Sequence, residues 1–131
     1  MTLLLDTQAL LWWLGGSPTL GRRARALIAD SSSSVWVSAA TAWEIAIKAG
    51  LGRLDLGEPP EICLPRELDR SGFRALPVTV AHALAVGALP RIHGDPFDRI
   101  LIVQAVIEGL TLVTSDAEVA RYRVSQIDAR A

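Results

Sequence analysis

Thr2-Leu3-Leu4-Leu5-Asp6 is a short apolar run that ends in an acidic residue, and it decides the fold. A continuous apolar run of this length predicts a strand buried on both faces, as strands of parallel sheets are. Leu110-Thr111-Leu112-Val113-Thr114 repeats the pattern late in the chain, and Asp116 follows it after one intervening residue. Two such runs predict parallel strands that deliver carboxylates to one edge of a sheet.

Strands and helices alternate along the rest of the chain. Further strands are predicted at 35–37, 73–76 and 124–127, and helices at 7–14, 20–29, 39–49, 80–89, 97–108 and 117–122. The segment 52–65 is the least regular, because its prolines limit helix formation, and 66–70 forms at most a turn or two. This alternation predicts an α/β fold with a mostly parallel sheet and a ligand site beyond the carboxyl ends of the strands.

Length and composition describe a small globular protein. We expect residues 1–131 to form a single domain, and the hydrophobic content of 50% excludes a disordered chain. Cys63 is the only cysteine, which excludes an internal disulfide and fits a reducing compartment. No apolar run approaches the ~20 residues of a membrane span, and we expect no signal peptide. We therefore expect a cytoplasmic protein with no membrane partner.

The overall charge limits the kind of nucleic-acid binding that is possible. The net charge is −1, and Lys48 is the only lysine among 13 basic residues. A dedicated nucleic-acid binder is usually more basic. Any nucleic-acid site must therefore be local or shared with a partner.

Several aspartates fall at the predicted edge, and each has an ordinary structural explanation. Asp6 and Asp116 fit N-caps of the helices that follow them. Asp98 fits a first-turn acid that complements the helix dipole, and Asp95 competes with Asp98 for the capping position. Four acids at one edge of the sheet are much less probable as a coincidence than any single one. They are Asp6, Glu44, Asp98 and Asp116.

Glu44 lies in the apolar stretch Ala42-Trp43-Glu44-Ile45-Ala46-Ile47, which predicts a mostly buried helix. Its structural explanation is a pair with Lys48, worth ~0.2–0.5 kcal/mol on an exposed helix face. An unpaired buried carboxylate is strongly unfavourable, so it needs a cation or a cleft. We therefore favour a functional role for Glu44.

Carboxylates gathered in one place repel each other and call for a cation. Mg²⁺ or Mn²⁺ suits oxygen ligands of this kind, and such a site best supports hydrolysis of phosphodiester bonds. The sequence contains no glycine-rich phosphate loop, no Cys/His zinc spacing and no support for a serine or cysteine triad.

Other polar residues give weaker signals. His82 fits a packing or surface residue. His93 fits an ordinary loop histidine, with an RNA contact or the ordering of Asp98 as alternatives. Thr114 and Ser115 lie beside the predicted acidic edge, where they could hold a metal-bound water.

Four blocks of the sequence resemble the PIN-domain family, and more narrowly the VapC-type toxins of bacterial toxin–antitoxin pairs. They are LLLDT at 3–7, SAATAWEIAIK at 38–48, HGDPFDR at 93–99 and LTLVTSD at 110–116. The resemblance implies a three-layer α/β/α sandwich around a parallel sheet. It also implies an endoribonuclease that depends on Mg²⁺ or Mn²⁺, acts on RNA and is blocked by a cognate VapB-type antitoxin.

The resemblance also implies roles for the acids. Asp6 and Asp98 would be the principal metal ligands, and Glu44 and Asp116 would complete the site directly or through water. Gln8 is a departure, because close relatives often carry a histidine there. Since the acidic set is intact, we expect activity to be retained.

Two other functions compete with this interpretation. A phosphoacceptor receiver domain would need paired acids after the first strand and a lysine late in the chain, but Thr7 follows Asp6, and the only lysine, Lys48, lies in the middle of a predicted helix. A non-catalytic RNA- or protein-binding module that retains the PIN fold is the remaining alternative.

The first predicted helix, 7–14, is apolar on every face. A helix that flanks a sheet buries only one stripe, so Trp12 or Trp13 is expected to contact another chain, either a second copy in a homodimer or the antitoxin. The alternative is that the helix at 20–29 covers that face.

Overall fold

The computed structural model describes all residues, 1–131, and contains a five-stranded sheet with helices on both faces. The strands are β1 (Thr2–Leu5), β2 (Ser34–Ser38), β3 (Arg74–Leu76), β4 (Thr111–Thr114) and β5 (Gln126–Asp128). The helices are α1 (Thr7–Leu14), α2 (Arg22–Ala29), α3 (Ala39–Gly50), α4 (Pro60–Ser71), α5 (Val80–Ala85) and α6 (Pro96–Glu108). Single 3₁₀ turns lie at Val86–Ala88 and Val119–Arg121.

The order of the strands creates a switch point at the centre of the sheet. The order is β3-β2-β1-β4-β5, and every neighbouring pair is parallel. Strands β2 and β3 therefore lie on one side of β1. The chain then crosses to the other side of β1, where it forms β4 and β5. Ligand sites of open α/β sheets lie beyond the carboxyl ends of the strands at such a reversal. The predicted parallel sheet is confirmed.

Separate apolar cores cover the two faces of the sheet. Leu3 and Leu5 belong to the larger core, which includes residues of α1, α2, α3 and α4. Leu4, between them in sequence, belongs to the second core with Leu101 and Ile102 of α6. All three strand leucines are completely buried, so the apolar run is continuous because both faces of β1 are covered. The predicted three-layer α/β/α arrangement is confirmed.

Helix α4 corrects the expectation of an irregular segment at 52–65 with only a short helical turn at 66–70. Pro60 occupies the first turn of α4, where the missing N–H would have no helical partner. Pro65 lies inside the helix and removes one hydrogen bond. Burial of Cys63 and Leu64 against the rest of the protein offsets that loss.

Two predicted helices are shorter than expected. The helix predicted at 80–89 ends at Ala85 and continues only as a 3₁₀ turn, and the helix predicted at 117–122 is the single 3₁₀ turn Val119–Arg121. The remaining bounds shift by one or two residues, as helix and strand ends commonly do. None of the helices combines the length and the apolar character needed to cross a membrane.

Candidate active site

An open cleft of about 340 Å³ lies at the carboxyl edge of the central strands. We call it the acidic cleft, because five of its ten lining residues are acids and Leu11 is its one apolar residue. The acids are Asp6, Glu44, Asp95, Asp98 and Asp116. Lys48 is the one basic residue. The structure thus brings together all four acids that the sequence predicted to meet.

Asp6 and Asp116 reach the acidic cleft from the ends of the two neighbouring strands at the switch point. Asp6 directly follows β1 and caps α1, with its Oδ1 accepting a hydrogen bond from the backbone N–H of Ala9 at 2.7 Å. Asp116 follows β4, and its Oδ1 accepts from the backbone N–H groups of Glu118 and Val119 at 2.8 and 3.2 Å. Both carboxylates therefore stabilise local backbone and line the cleft at the same time.

Asp98 lies in the first turn of α6, but it does not cap the helix. Asp95 is the N-cap, and its Oδ1 accepts from the backbone N–H groups of Phe97 and Asp98 at 2.9 and 3.2 Å. Because Asp95 caps α6, the Asp98 carboxylate accepts no hydrogen bond from the backbone of its own helix. Its Oδ2 instead lies 3.1 Å from Nε2 of His93.

Glu44 is buried, with 9% of its surface exposed, and two neighbours hold its carboxylate. The Thr7 hydroxyl donates to Oε1 at 2.5 Å, and the Lys48 ammonium donates to Oε2 at 2.6 Å. The predicted burial of Glu44 is confirmed, but for a different reason. Helix α3 is not mostly buried, because Trp43 is 64% exposed and Ile47 is also exposed. Glu44 therefore forms the predicted pair with Lys48 and also lines the acidic cleft.

The environment of Asp6 and Asp98 favours the neutral forms of their carboxyl groups. Burial raises the pKa of Asp6, and the negative charges of Asp116 and Glu44 raise it further, against opposing hydrogen bonds from Thr114 and Ala9. Burial likewise raises the pKa of Asp98 to about 6, with added repulsion from Asp95, Asp116 and Asp6, while His93 lowers it. Burial and mutual repulsion together identify a cleft whose negative charge lacks a sufficient counter-charge.

The donor chemistry of the acidic cleft fits a hard divalent cation. Carboxylate oxygens are the ligands that Mg²⁺ and Mn²⁺ prefer, and one lysine cannot neutralise five acids. No three His, Cys, Asp or Glu side chains lie close enough together to form a complete ion cage. This spacing is compatible with Mg²⁺, which usually keeps several waters and binds only one or two carboxylates.

His93 is better connected than an ordinary loop histidine. Besides Asp98, its ring contacts the Tyr122 hydroxyl, 2.8 Å from Nδ1. The ordering of Asp98 is one of the alternatives predicted for His93, whereas the contact with Tyr122 is not predicted from the sequence. Nothing in the local sequence signals this contact, because Tyr122 lies 29 positions away.

The other residues considered from sequence take varied positions. Gln8 and Ser115 line the acidic cleft, and Thr114 is buried beside Asp6. His82 is fully buried away from the cleft, where its Nε2 contacts Glu108 at 3.0 Å.

The tryptophans of α1 are half-buried against their own chain. Trp13 packs on Phe73, with ring centroids 5.7 Å apart, and donates from Nε1 to Ser71 at 3.2 Å. The Arg130 guanidinium lies 5.5 Å from the centre of the Trp12 ring. These contacts within the chain leave less exposed apolar surface on α1 than was expected. Contact of Trp12 or Trp13 with another chain stays a prediction.

Comparisons with known sequences agree on one family. The PIN domain family model matches residues 3–124. Ribonuclease VapC22 of Mycobacterium tuberculosis is 29% identical over 123 residues, which cover 93% of this chain and 92% of that protein. Ribonuclease VapC16 of the same organism is 43% identical over 72 residues, covering 55% of this chain. The chain spans about half the length of VapC16, 48% of it.

Solved structures share the same fold. VapBC2 from Rickettsia felis, bound to a promoter DNA fragment, matches with a TM-score of 0.72 at 17% identity, over 97% of this chain and 98% of the other. DNA-bound VapBC from Salmonella typhimurium matches with a TM-score of 0.68 at 20% identity, over 98% of each chain. With a family model that covers nearly the whole chain and an acidic cleft at the switch point of a parallel sheet, this protein belongs to the PIN domain family.

Proposed function

We propose that this protein is a divalent-metal-dependent endoribonuclease, the toxin of a toxin–antitoxin pair. The acidic cleft carries the proposal, because it collects Asp6, Glu44, Asp98 and Asp116 from four separate parts of the chain. The names of the two ribonuclease VapC relatives support the assignment to RNA hydrolysis.

Mg²⁺ or Mn²⁺ is the proposed cofactor, with Asp6 and Asp98 as its principal ligands. Glu44 and Asp116 complete the site directly or through water. When bound, such an ion activates water and stabilises negative charge on the phosphate. No side-chain nucleophile is required.

The chain's own residues prepare the acidic cleft for this chemistry. The capping bonds of Asp6 and Asp116 restrict their rotamers, and Thr7 and Lys48 do the same for Glu44. Since the fixed carboxylates do not have to reorganise, they are preorganised for a cation. Lys48 is the one cation in the cleft and is suited to contact a substrate phosphate.

Cleavage assays test the proposal against its alternative, a non-catalytic binding module with the PIN fold. Partner-free protein should cut a mixed RNA pool in Mg²⁺ or Mn²⁺ but not in EDTA, and mapping the fragment ends should locate internal cuts. Asp69→Asn is a matched control, because Asp69 is exposed on α4 outside the cleft. Equal cleavage by wild type and Asp6→Asn, or cleavage that persists in EDTA, would contradict the assigned site.

A VapB-type antitoxin is the proposed protein partner. The structures of VapBC from Rickettsia felis and Salmonella typhimurium support it, since proteins with this fold are found there in VapBC complexes. The test is to add the VapB-type protein from the same genome to the cleavage assay. Loss of cleavage at equimolar antitoxin is expected, and unchanged cleavage would argue against the pairing.

A homodimer is the second proposed assembly. An apolar groove of about 510 Å³ lies between α3, α5 and α6. Trp43 lines it and stacks edge-on against Phe97, with ring centroids 5.3 Å apart. Val80 and Leu84 on α5 are also highly exposed. Exposed aromatic and aliphatic residues of this kind mark interfaces, so this face suits a second copy better than the half-buried Trp12 and Trp13.

A further inference from the structure

A single arginine holds the loop that carries His93. Nη1 of Arg99 donates to the backbone oxygens of Pro90 and His93 at 2.9 and 3.3 Å, and Nη2 donates to that of Val86 at 3.2 Å. Nη1 also donates to the Tyr122 hydroxyl at 3.0 Å, and because Nη1 has only two N–H bonds, one of them is shared between two of its three acceptor oxygens. Arg99 therefore ties the loop before α6 both to itself and to the segment after β4.

The contacts of Tyr122 determine which nitrogen of His93 carries the proton. The Tyr122 oxygen accepts hydrogen bonds from Arg99 Nη1 and from the backbone N–H of His93 at 3.3 Å. A phenolic oxygen has two lone pairs and one proton, so with both lone pairs occupied its proton is directed to His93 Nδ1. In the neutral imidazole the proton must then lie on Nε2, which donates to Asp98 Oδ2.

The orientation of the Asp98 carboxylate depends on His93 alone, whereas other hydrogen-bond donors orient the remaining acids. Asp6 and Asp116 are oriented by backbone N–H groups of the segments they cap, and Glu44 by Thr7 and Lys48. The one hydrogen bond to the Asp98 carboxylate comes from His93.

We propose that His93 is a positioning residue that fixes the Asp98 carboxylate for the cation, and that Tyr122 and Arg99 fix the tautomer and orientation of His93. This inference deepens the proposed function and rests on it. Partners that orient a ligand in this way typically change metal affinity or activity 10–100-fold when they are removed. His93 would act through Asp98 and would not itself be a ligand of the cation.

Metal affinity provides the first test. His93→Ala should weaken Mn²⁺ binding, measured from the free-ion EPR signal, by roughly 10–100-fold. It should lower kcat at a fixed limiting Mn²⁺ concentration with little change in the KM for RNA, and excess Mn²⁺ should restore much of the rate. His93→Gln should be closer to wild type, because the glutamine amide can still donate to Asp98.

A second histidine supplies the matched control. His82 is fully buried, whereas His93 is only half-buried, and the partner of His82, Glu108, lies outside the acidic cleft. His82→Gln should therefore affect the melting temperature without changing the Mn²⁺ affinity. Wild-type Mn²⁺ affinity in His93→Ala, or equal losses in His93→Ala and His82→Gln, would overturn the positioning role.

Ring nitrogen spectra test the contact without metal or RNA. At about pH 8, where a free imidazole is neutral, ¹⁵N NMR of the metal-free protein should show His93 protonated at Nε2. Tyr122→Phe should raise the fraction of the Nδ1 tautomer, because the hydroxyl proton directed at Nδ1 is gone and only the Asp98 carboxylate then favours a proton on Nε2. A wild-type ring protonated at Nδ1 would overturn the inference. If the wild type neither binds metal nor cuts RNA, the proposed function fails, and these spectra still decide whether His93 holds Asp98.

Discussion

Replacing Asp98 with asparagine should stabilise the metal-free protein while removing its activity. Asp98→Asn keeps the size of the side chain and an oxygen that can accept from His93, but it removes one negative charge from the acidic cleft. Burial and the charges of Asp95, Asp116 and Asp6 raise the pKa of Asp98 from 3.8 to about 6. Its side chain is only 18% exposed, so solvent screens this penalty incompletely.

The size and sign of the effect follow from proton linkage. Between about pH 3.8 and pH 6 the folded state holds a proton on Asp98 that the unfolded state has lost, so the stability of the wild type falls as pH rises. A pKa difference of about two units corresponds to about 3 kcal/mol at neutral pH. Asp98→Asn avoids this loss, which for a chain of this size is roughly 10 °C in melting temperature as an upper limit.

Melting curves in EDTA at several pH values measure this effect. The advantage of Asp98→Asn over wild type should be largest above the folded-state pKa, should shrink as the pH falls, and should disappear below about pH 3.8, where Asp98 is protonated in both states. Asp69→Asn, which removes an exposed acid on α4, should show little change. A less stable Asp98→Asn at neutral pH, or an advantage that does not depend on pH, would refute the electrostatic argument.

The remaining predictions concern activity, metal and assembly. Asp6→Asn should abolish RNA cleavage with an unchanged circular dichroism spectrum, and cleavage at the wild-type rate would remove Asp6 from the site. Mg²⁺ or Mn²⁺ at 100 times its Kd should stabilise the wild type by about 2.7 kcal/mol and Asp98→Asn much less; unchanged melts would indicate that the acids serve only as structural residues. Trp43→Glu should lower the mass in solution from dimer to monomer, and an unchanged mass would exclude the groove around Trp43 as the dimer contact.

The strands were predictable because their signal is local and strong. Leu3, Leu4 and Leu5 form a short continuous apolar run, which is typical of a strand covered on both faces, and Asp6 marks its carboxyl end. Helix α4 was not predictable in the same way, since propensity penalises Pro65 wherever it occurs. The packing of Leu64 against the core compensates, and that packing is absent from the local sequence.

The residues that orient the site were harder to identify than the acids themselves. His93 and Asp98 are five positions apart, so their contact was one of the alternatives that the sequence offered. Tyr122 reaches His93 only because the segment after β4 packs against α6. A contact created by tertiary packing leaves no period or spacing in the sequence, although it determines which imidazole nitrogen faces the carboxylate.

The structural and functional explanations of the acids are not true alternatives. Asp6 and Asp116 were each weighed as either helix cap or site residue, and the structure shows both capping backbone N–H groups while lining the acidic cleft. Capping restricts the rotamer of a carboxylate, and a restricted carboxylate is better prepared for a cation than a mobile one. A capping role therefore gives no evidence against function at such an edge. The informative property is charge, because asparagine also caps helices well but cannot supply the negative charge that a divalent cation requires.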